Sequence, residues 1–281
     1  MNLSISPRDS GFGAVVHGIR LNKTLSTETV AEIRKAWVRY GVLVFPDQPM
    51  EHSELTRFAS LFGPFGHDPF VQSLQDYPNI LEVRREPGER VSPFGHSWHS
   101  DWSFQASPPS ATLLHAKVVP PVGGNTLYAD GARAYDKLPT KLQQEIGALQ
   151  AIHSARRPYS PEGFVRSGGT ERSMRIVPDN NAYQTQLHPI VRTHPESGRK
   201  VLWINPVYTI GIHGIPQHAS DALLSELLDH ALKPDFIYEH TWAENMLTMW
   251  DNRTVQHCAQ GGYDGHLRVM HRTTIAGDRP Q

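Results

Sequence analysis

A chain of 281 residues with 38% apolar side chains has the material for a substantial core, and the length suits one β-rich domain over residues 1–281. Its net charge of −1, from 27 Lys and Arg against 28 Asp and Glu, argues against a nucleic-acid partner or a polybasic membrane surface. A single cysteine, Cys258, excludes an intrachain disulfide; with no apolar leader and no stretch able to span a bilayer, a soluble cytoplasmic protein is expected.

The first predicted element is a helix over residues 27–40, where Val30, Ile33, Trp37 and Tyr40 share a face and Gly41 supplies the stop. Residues 42–45, Val-Leu-Val-Phe, read as a strand ended by Pro46. A second helix is predicted over 53–62, with Leu55, Phe58, Leu61 and Phe62 inward. Short strands follow at 80–83, 111–119, 126–129, 187–193, 201–204, 236–241, 246–250 and 269–275, with helical patterns at 140–149 and 219–232. The 22 prolines and 22 glycines supply the turns between them. This pattern predicts a mainly β fold with flanking helices, a sandwich or a jelly roll (double-stranded β-helix). Residues 156–180 are polar and aperiodic, as in an active-site lid or binding loop.

Sixteen histidines invite a metal reading and also inflate chance matches. Three His-x-acid triplets occur, where random placement gives roughly 1.6. His52-Ser53-Glu54 falls at a helix start and reads as a solvated first turn, with Glu54 favouring the helix dipole. His194-Pro195-Glu196 is punctuated by Pro and Gly198 and reads as an exposed hairpin. His99-Ser100-Asp101 lies between Trp98 and Trp102, with Phe104 beyond, aromatics able to wall a dry pocket. On an extended segment residues i and i+2 project together, so His99 and Asp101 can share one ion; a third ligand must come from a distant strand.

Four ordered stretches carry a resemblance: His99-Ser100-Asp101, Gly123-Gly124-Asn125-Thr126-Leu127, Trp250-Asp251-Asn252-Arg253-Thr254-Val255-Gln256-His257 and Arg268-Val269-Met270-His271-Arg272. Together they resemble the taurine dioxygenase/TfdA family of iron(II)- and 2-oxoglutarate-dependent oxygenases. The resemblance implies Fe(II) on His99, Asp101 and His257, with 2-oxoglutarate and O₂ as cosubstrates and succinate and CO₂ as products. It implies that Thr126 and Arg268 hold the distal 2-oxoglutarate carboxylate, a task that suits a planar, permanently charged guanidinium. Arg272 shares a strand face with Arg268 and would meet the 2-oxoglutarate C1 carboxylate or an anionic substrate group. Related halogenases carry a small residue in place of Asp101, so its presence implies hydroxylation, with loss of an oxygen, sulfur or nitrogen group where the oxidised carbon bears one.

Candidate substrate contacts are His67 in Gly66-His67-Asp68-Pro69-Phe70, together with Trp102, Phe104, Tyr159, Tyr208 and Arg272. Gly95 and Val71 depart from the Asn and the aromatic hydroxyl of taurine enzymes, so a bulkier anionic substrate such as an aryloxy- or alkyl-substituted acid is expected. Cys258 reads as core filling, His271 as facing away from the arginines, and His96 as structural or exposed. A cupin-like metal-binding protein or isomerase without O₂ chemistry, and a zinc hydrolase on the same ligands, are the competing readings; neither needs Arg268 and Thr126. The oligomeric state, including a homo-oligomer, stays open.

Overall fold

The computed structural model describes residues 3–164 and 172–281. A large sheet takes the strands in the spatial order Ser4–Pro7, Ala14–His17, Val42–Phe45, Leu247–Asp251, Ala111–Val118, Arg268–Ile275 and Leu81–Arg85. Its pairings are antiparallel except for Ala14–His17 beside Val42–Phe45. Facing it is a smaller antiparallel sheet of Ile237–His240, Thr126–Asp130 and Val255–Ala259. Between them Leu114, Trp250 and Met270 from the large sheet meet Tyr128, Tyr238 and Val255 from the small one. That two-sheet core is the predicted jelly roll.

The central strands of the large sheet, Val42–Phe45, Leu247–Asp251 and Arg268–Ile275, are buried on both faces. Val42 looks into the jelly-roll core, while Leu43 and Phe45 pack outward beneath two helices. The helix Thr27–Tyr40 covers this outer face with Ile33, Ala36 and Trp37. Ser26 caps it by accepting from the Thr29 N–H, and Gly41 closes it at φ 71°. The second helix, His52–Ser60, starts with a capping box of Glu51 and Glu54 and buries Leu55, Phe58 and Ala59. It ends two residues earlier than the pattern predicted, because residues 61 and 62 turn instead.

The strand predicted over 187–193 is two strands: Thr185–Pro189 pairs with Gln150–Ser154, and Val191–Thr193 pairs with Lys200–Leu202. Strands Ser4–Pro7, Ala14–His17, Gln150–Ser154 and Thr209–Ile212 were not predicted. The later helices run Thr140–Ile146 and Gln217–Ala231. Within the aperiodic segment, Arg156–Tyr159 forms one helical turn, Ile176 bridges to Val71, and Asn180–Tyr183 is a 3-10 turn. Residues 165–171 of the expected lid lie outside the described residues. Among the described residues no helix is long and apolar enough to cross a membrane.

Candidate metal centre and its cavity

His99 and His257 meet across an isolated antiparallel bridge. Each backbone N–H donates to the other's carbonyl, at 3.0 and 2.8 Å. This bridge ties the loop carrying His99 and Asp101 to the strand Val255–Ala259 and sets the imidazole centroids 4.2 Å apart. Ser100 reinforces it by donating its hydroxyl to the Val255 carbonyl at 2.8 Å. Asp101 Oδ1 then lies 3.6 Å from His99 Nε2 and 3.8 Å from His257 Nε2. The ligand atoms of all three buried residues fall within 4.8 Å of one another, as a single ion requires.

The protonation states suit metal binding. His99 Nδ1 lies 2.7 Å from the Ser97 carbonyl, which only accepts, so Nδ1 is the donor there and Nε2 is the nitrogen on the Asp101 side. Burial, then the neighbouring His99 and Arg272, push the His257 imidazole down to about 3 against the opposing pull of Asp101. It is neutral, as a ligand must be. Burial raises the Asp101 carboxyl, but Arg272 and the two histidines together hold it well below the usual range.

A relay fixes that carboxylate. Trp250 Nε1 donates to Asn252 Oδ1 at 3.0 Å, Asn252 Nδ2 to Thr112 Oγ1 at 2.8 Å, and Thr112 to Asp101 Oδ2 at 2.6 Å. One oxygen is therefore held by the barrel wall and the other faces the histidines. The turn behind this relay is a buried ion-pair knot. Asp251 accepts from the Arg253 backbone N–H at 2.9 Å and from its guanidinium twice at 2.8 Å, and from His194 Nε2 at 3.0 Å. Glu196 bridges Arg253 at 2.6 Å and Arg34 at 2.7 Å. The hairpin predicted at 194–196 is thus present, but its histidine is fully buried rather than exposed.

Arg268 and Thr126 flank the other side of the same core. Gly123 and Gly124 allow the chain to pass here: both have φ near +70°, and a Cβ on Gly123 would lie 2.5 Å from the Gly262 carbonyl. Gly124 also lets Arg268 approach, since a Cβ there would come within 3.3 Å of Arg268 Nε. Arg268 is buried, its Nη2 reaches the Gly124 carbonyl at 3.4 Å, and Nε has no partner. Among the described residues no carboxylate pairs with it; burial presses its pKa down, opposed only by Tyr263 and Tyr128. Thr126 accepts from Trp242 Nε1 at 3.0 Å and stands opposite Ala259, two residues past His257.

Arg272 is placed between two acids. Nη1 donates to Asp68 Oδ1 at 2.7 Å, and Nη2 sits 2.9 Å from Asp101 Oδ1. A cavity of about 620 Å³ opens onto His99 and Asp101. Trp102, Tyr159 and Tyr208 line it, joined by Phe94, His96 and Arg172. His67, Phe104 and Arg272, the other candidate substrate contacts, do not line it. His67 is exposed and borders a neighbouring cavity, and Phe104 stands behind the wall with its ring 5.0 Å from Tyr208. Cys258 is half-buried, its thiol donating to the His96 carbonyl, so it is not a core residue. His271 faces away from the cavity and pairs with His52, Nδ1 to Nε2 at 3.1 Å, which takes His52 out of a purely solvated role.

Sequence reading missed Asp68, Thr112 and Arg172. Asp68 is an ordinary acid in a Pro-containing loop, and Thr112 is one residue of an apolar strand run. Their partners are 204 and 11 residues away, beyond any local pattern.

The family model described as "Taurine catabolism dioxygenase TauD, TfdA family" matches residues 4–274. An (S)-phenoxypropionate/alpha-ketoglutarate-dioxygenase of Sphingobium herbicidovorans is 34% identical over 277 residues, 98% of this chain and 95% of the relative. An alpha-ketoglutarate-dependent sulfate ester dioxygenase of Pseudomonas putida is 31% identical, covering 100% and 91%. Among solved structures, AAD-2 in complex with Mn(II) and N-oxalylglycine has a TM-score of 0.82 and 31% identity, covering 100% of this chain and 99% of that one. A family match over nearly every residue, relatives above 30% identity and a shared fold lead to one assignment: the chain belongs to the TauD/TfdA family and is an alpha-ketoglutarate (2-oxoglutarate)-dependent dioxygenase.

Proposed function

We propose that His99, Asp101 and His257 hold iron(II), that Arg268 and Thr126 seat the far carboxylate of 2-oxoglutarate, and that the cavity takes a small monofunctional oxyanion with an apolar body. The observations carrying this reading are the His99, Asp101 and His257 cluster and the buried Arg268 guanidinium, which among the described residues has no anionic partner. A buried cation is costly unless paired, so the site is built for a carboxylate that arrives with the cosubstrate. A cupin without O₂ chemistry or a zinc hydrolase has no use for it.

Ferrous iron with 2-oxoglutarate and O₂ supplies oxidative decarboxylation to succinate and CO₂ and the oxidising power for C–H hydroxylation. The chain's own residues do the rest. His99, Asp101 and His257 would hold the ion through two imidazole nitrogens and one carboxylate oxygen. Arg268 fixes the orientation of the cosubstrate, and Trp102, Tyr159 and Tyr208 keep water from the reacting carbon. Relatives named for phenoxypropionate and sulfate esters support an aryloxy or alkyl oxyanion here, with C–O cleavage following hydroxylation of the oxygen-bearing carbon. Gly95 and Val71, both small or aliphatic, argue against taurine.

Succinate release driven by phenoxyacetate, an alkyl sulfate and taurine tests the reading. Turnover with taurine alone would overturn the substrate class. Arg268→Ala is expected to raise the 2-oxoglutarate KM by roughly 10²-fold or more, about 3 kcal/mol of lost charged hydrogen bonding, while metal affinity stays within a few-fold. An unchanged KM would remove Arg268 from the cosubstrate site.

A further inference from the structure

Tyr128 is fully buried, and among the described residues its hydroxyl has no hydrogen-bond partner. An unpaired hydroxyl in a core is costly, so one kept there calls for an acceptor that arrives from outside. The residue belongs to the strand Thr126–Asp130, directly opposite His257 and two residues after Thr126. Side chains at that spacing share a strand face, so Tyr128 and Thr126 both point into the space between the two sheets. There the Tyr128 ring lies 5.5 Å from Trp250 and 5.8 Å from Tyr238, centroid to centroid.

Three buried donors of this region lack an acceptor among the described residues. Arg268 reaches the Gly124 carbonyl with Nη2 at 3.4 Å, two residues before Thr126, and its Nε is unpaired. Trp242 Nε1 donates to Thr126 Oγ1 at 3.0 Å, and no described residue takes the Thr126 hydroxyl proton in turn. The Tyr128 hydroxyl is the third. Arg268 and Asp101 are the charged groups that act on it, in opposite senses, so it lies within electrostatic range of both the Arg268 guanidinium and the metal cluster. His257 Nδ1 is also buried and unpaired, with its ring centroid 6.3 Å from that of Tyr128. The nitrogen of His257 on the Asp101 side is Nε2, and a neutral imidazole that gives Nε2 to a metal carries its hydrogen on Nδ1. That nitrogen then offers the phenol no acceptor. A carboxylate does: its two oxygens have about four lone-pair sites, enough for one guanidinium and two hydroxyls.

We propose that Tyr128 is a third donor to the far carboxylate of 2-oxoglutarate, completing the seat made by Arg268 and Thr126. This rests on the proposed function and adds to it a residue that stands one position past the Gly123–Leu127 stretch. Tyr128 binds the end of the cosubstrate remote from the metal. Its hydroxyl therefore sets which keto acid is accepted and leaves the metal ligands untouched.

2-Oxopentanoate keeps the keto acid and the chain length of 2-oxoglutarate and carries a methyl group where the far carboxylate stands. Calorimetric titration of each into the protein loaded with Mn(II) reads binding without turnover. The native protein is expected to prefer 2-oxoglutarate. Tyr128→Phe fills the same space without the hydroxyl, and is expected to cut that preference by about 10-fold or more, the scale of one hydrogen bond to a charged group, with 2-oxopentanoate binding unchanged. An unchanged preference in Tyr128→Phe overturns the proposal. Equal weakening of both keto acids also overturns it, since the hydroxyl would then act on the metal centre through His257. If the native protein shows no preference, or Arg268→Ala leaves it intact, the cosubstrate seat itself falls; if Arg268→Ala abolishes the preference and Tyr128→Phe does not reduce it, only the role given to Tyr128 falls.

Discussion

Asp101→Ala is expected to lower turnover by about 10³-fold or more, some 4 kcal/mol of lost transition-state stabilisation, and to weaken metal binding by at least 10²-fold. The carboxylate is the only acid among the three proposed ligands, so its loss would leave two imidazoles to hold a dication. The damage extends past the ligand. Arg272 Nη2 loses its one nearby counter-charge, and Thr112 loses the acceptor at the end of the Trp250–Asn252 relay. Metal titration followed by calorimetry, with succinate release measured in parallel, separates the two effects. Turnover within 10-fold of the native protein would remove Asp101 from the metal centre.

The second large effect is on folding. Asp251→Ala should destabilise the protein by about 3–5 kcal/mol, because the buried His194 Nε2 and Arg253 Nε and Nη2 lose their acceptor and Arg253 keeps only Glu196. Burial raises the Asp251 carboxyl, but Arg253 and His194 pull it down to about 2. An unfolded Asp titrates near ~3.9, so the folded state binds the proton less readily. The resulting stability, about 2–3 kcal/mol, is fully present above roughly pH 4 and disappears as pH falls toward 2. Urea unfolding of native protein and variant at pH 7 measures the first number. Repeating it at lower pH should show the gap between them closing; a gap that is constant from pH 7 to pH 2.5 would refute the linkage.

How much of this was legible beforehand depended on the range of the signal. The helix Thr27–Tyr40 announced itself through period, cap and stop, all within a few residues of one another. The ligand cluster was readable only because four motifs stood in order; His-x-acid alone also pointed to positions 52 and 194. The central strand Val42–Phe45 of the large sheet was found as an apolar run, not by alternation, since it is buried at every position. The polar networks were the weakest. Nothing adjacent to His194 signals a carboxylate 57 residues away, and a Pro-Gly turn reads as exposed until the knot beneath it is seen. His67 was assigned from the family resemblance of its segment and Phe104 from nearness to the His99–Asp101 pair, but loops can carry such residues to the far side of a cavity wall.

The reciprocal backbone bridge between His99 and His257 has a consequence for how the centre comes apart. Both amide hydrogens are consumed in a single two-way link, so neither imidazole can be lost by fraying of its own segment alone. Their exchange with deuterium should be slow, and should occur at one common rate set by parting of the loop from the strand.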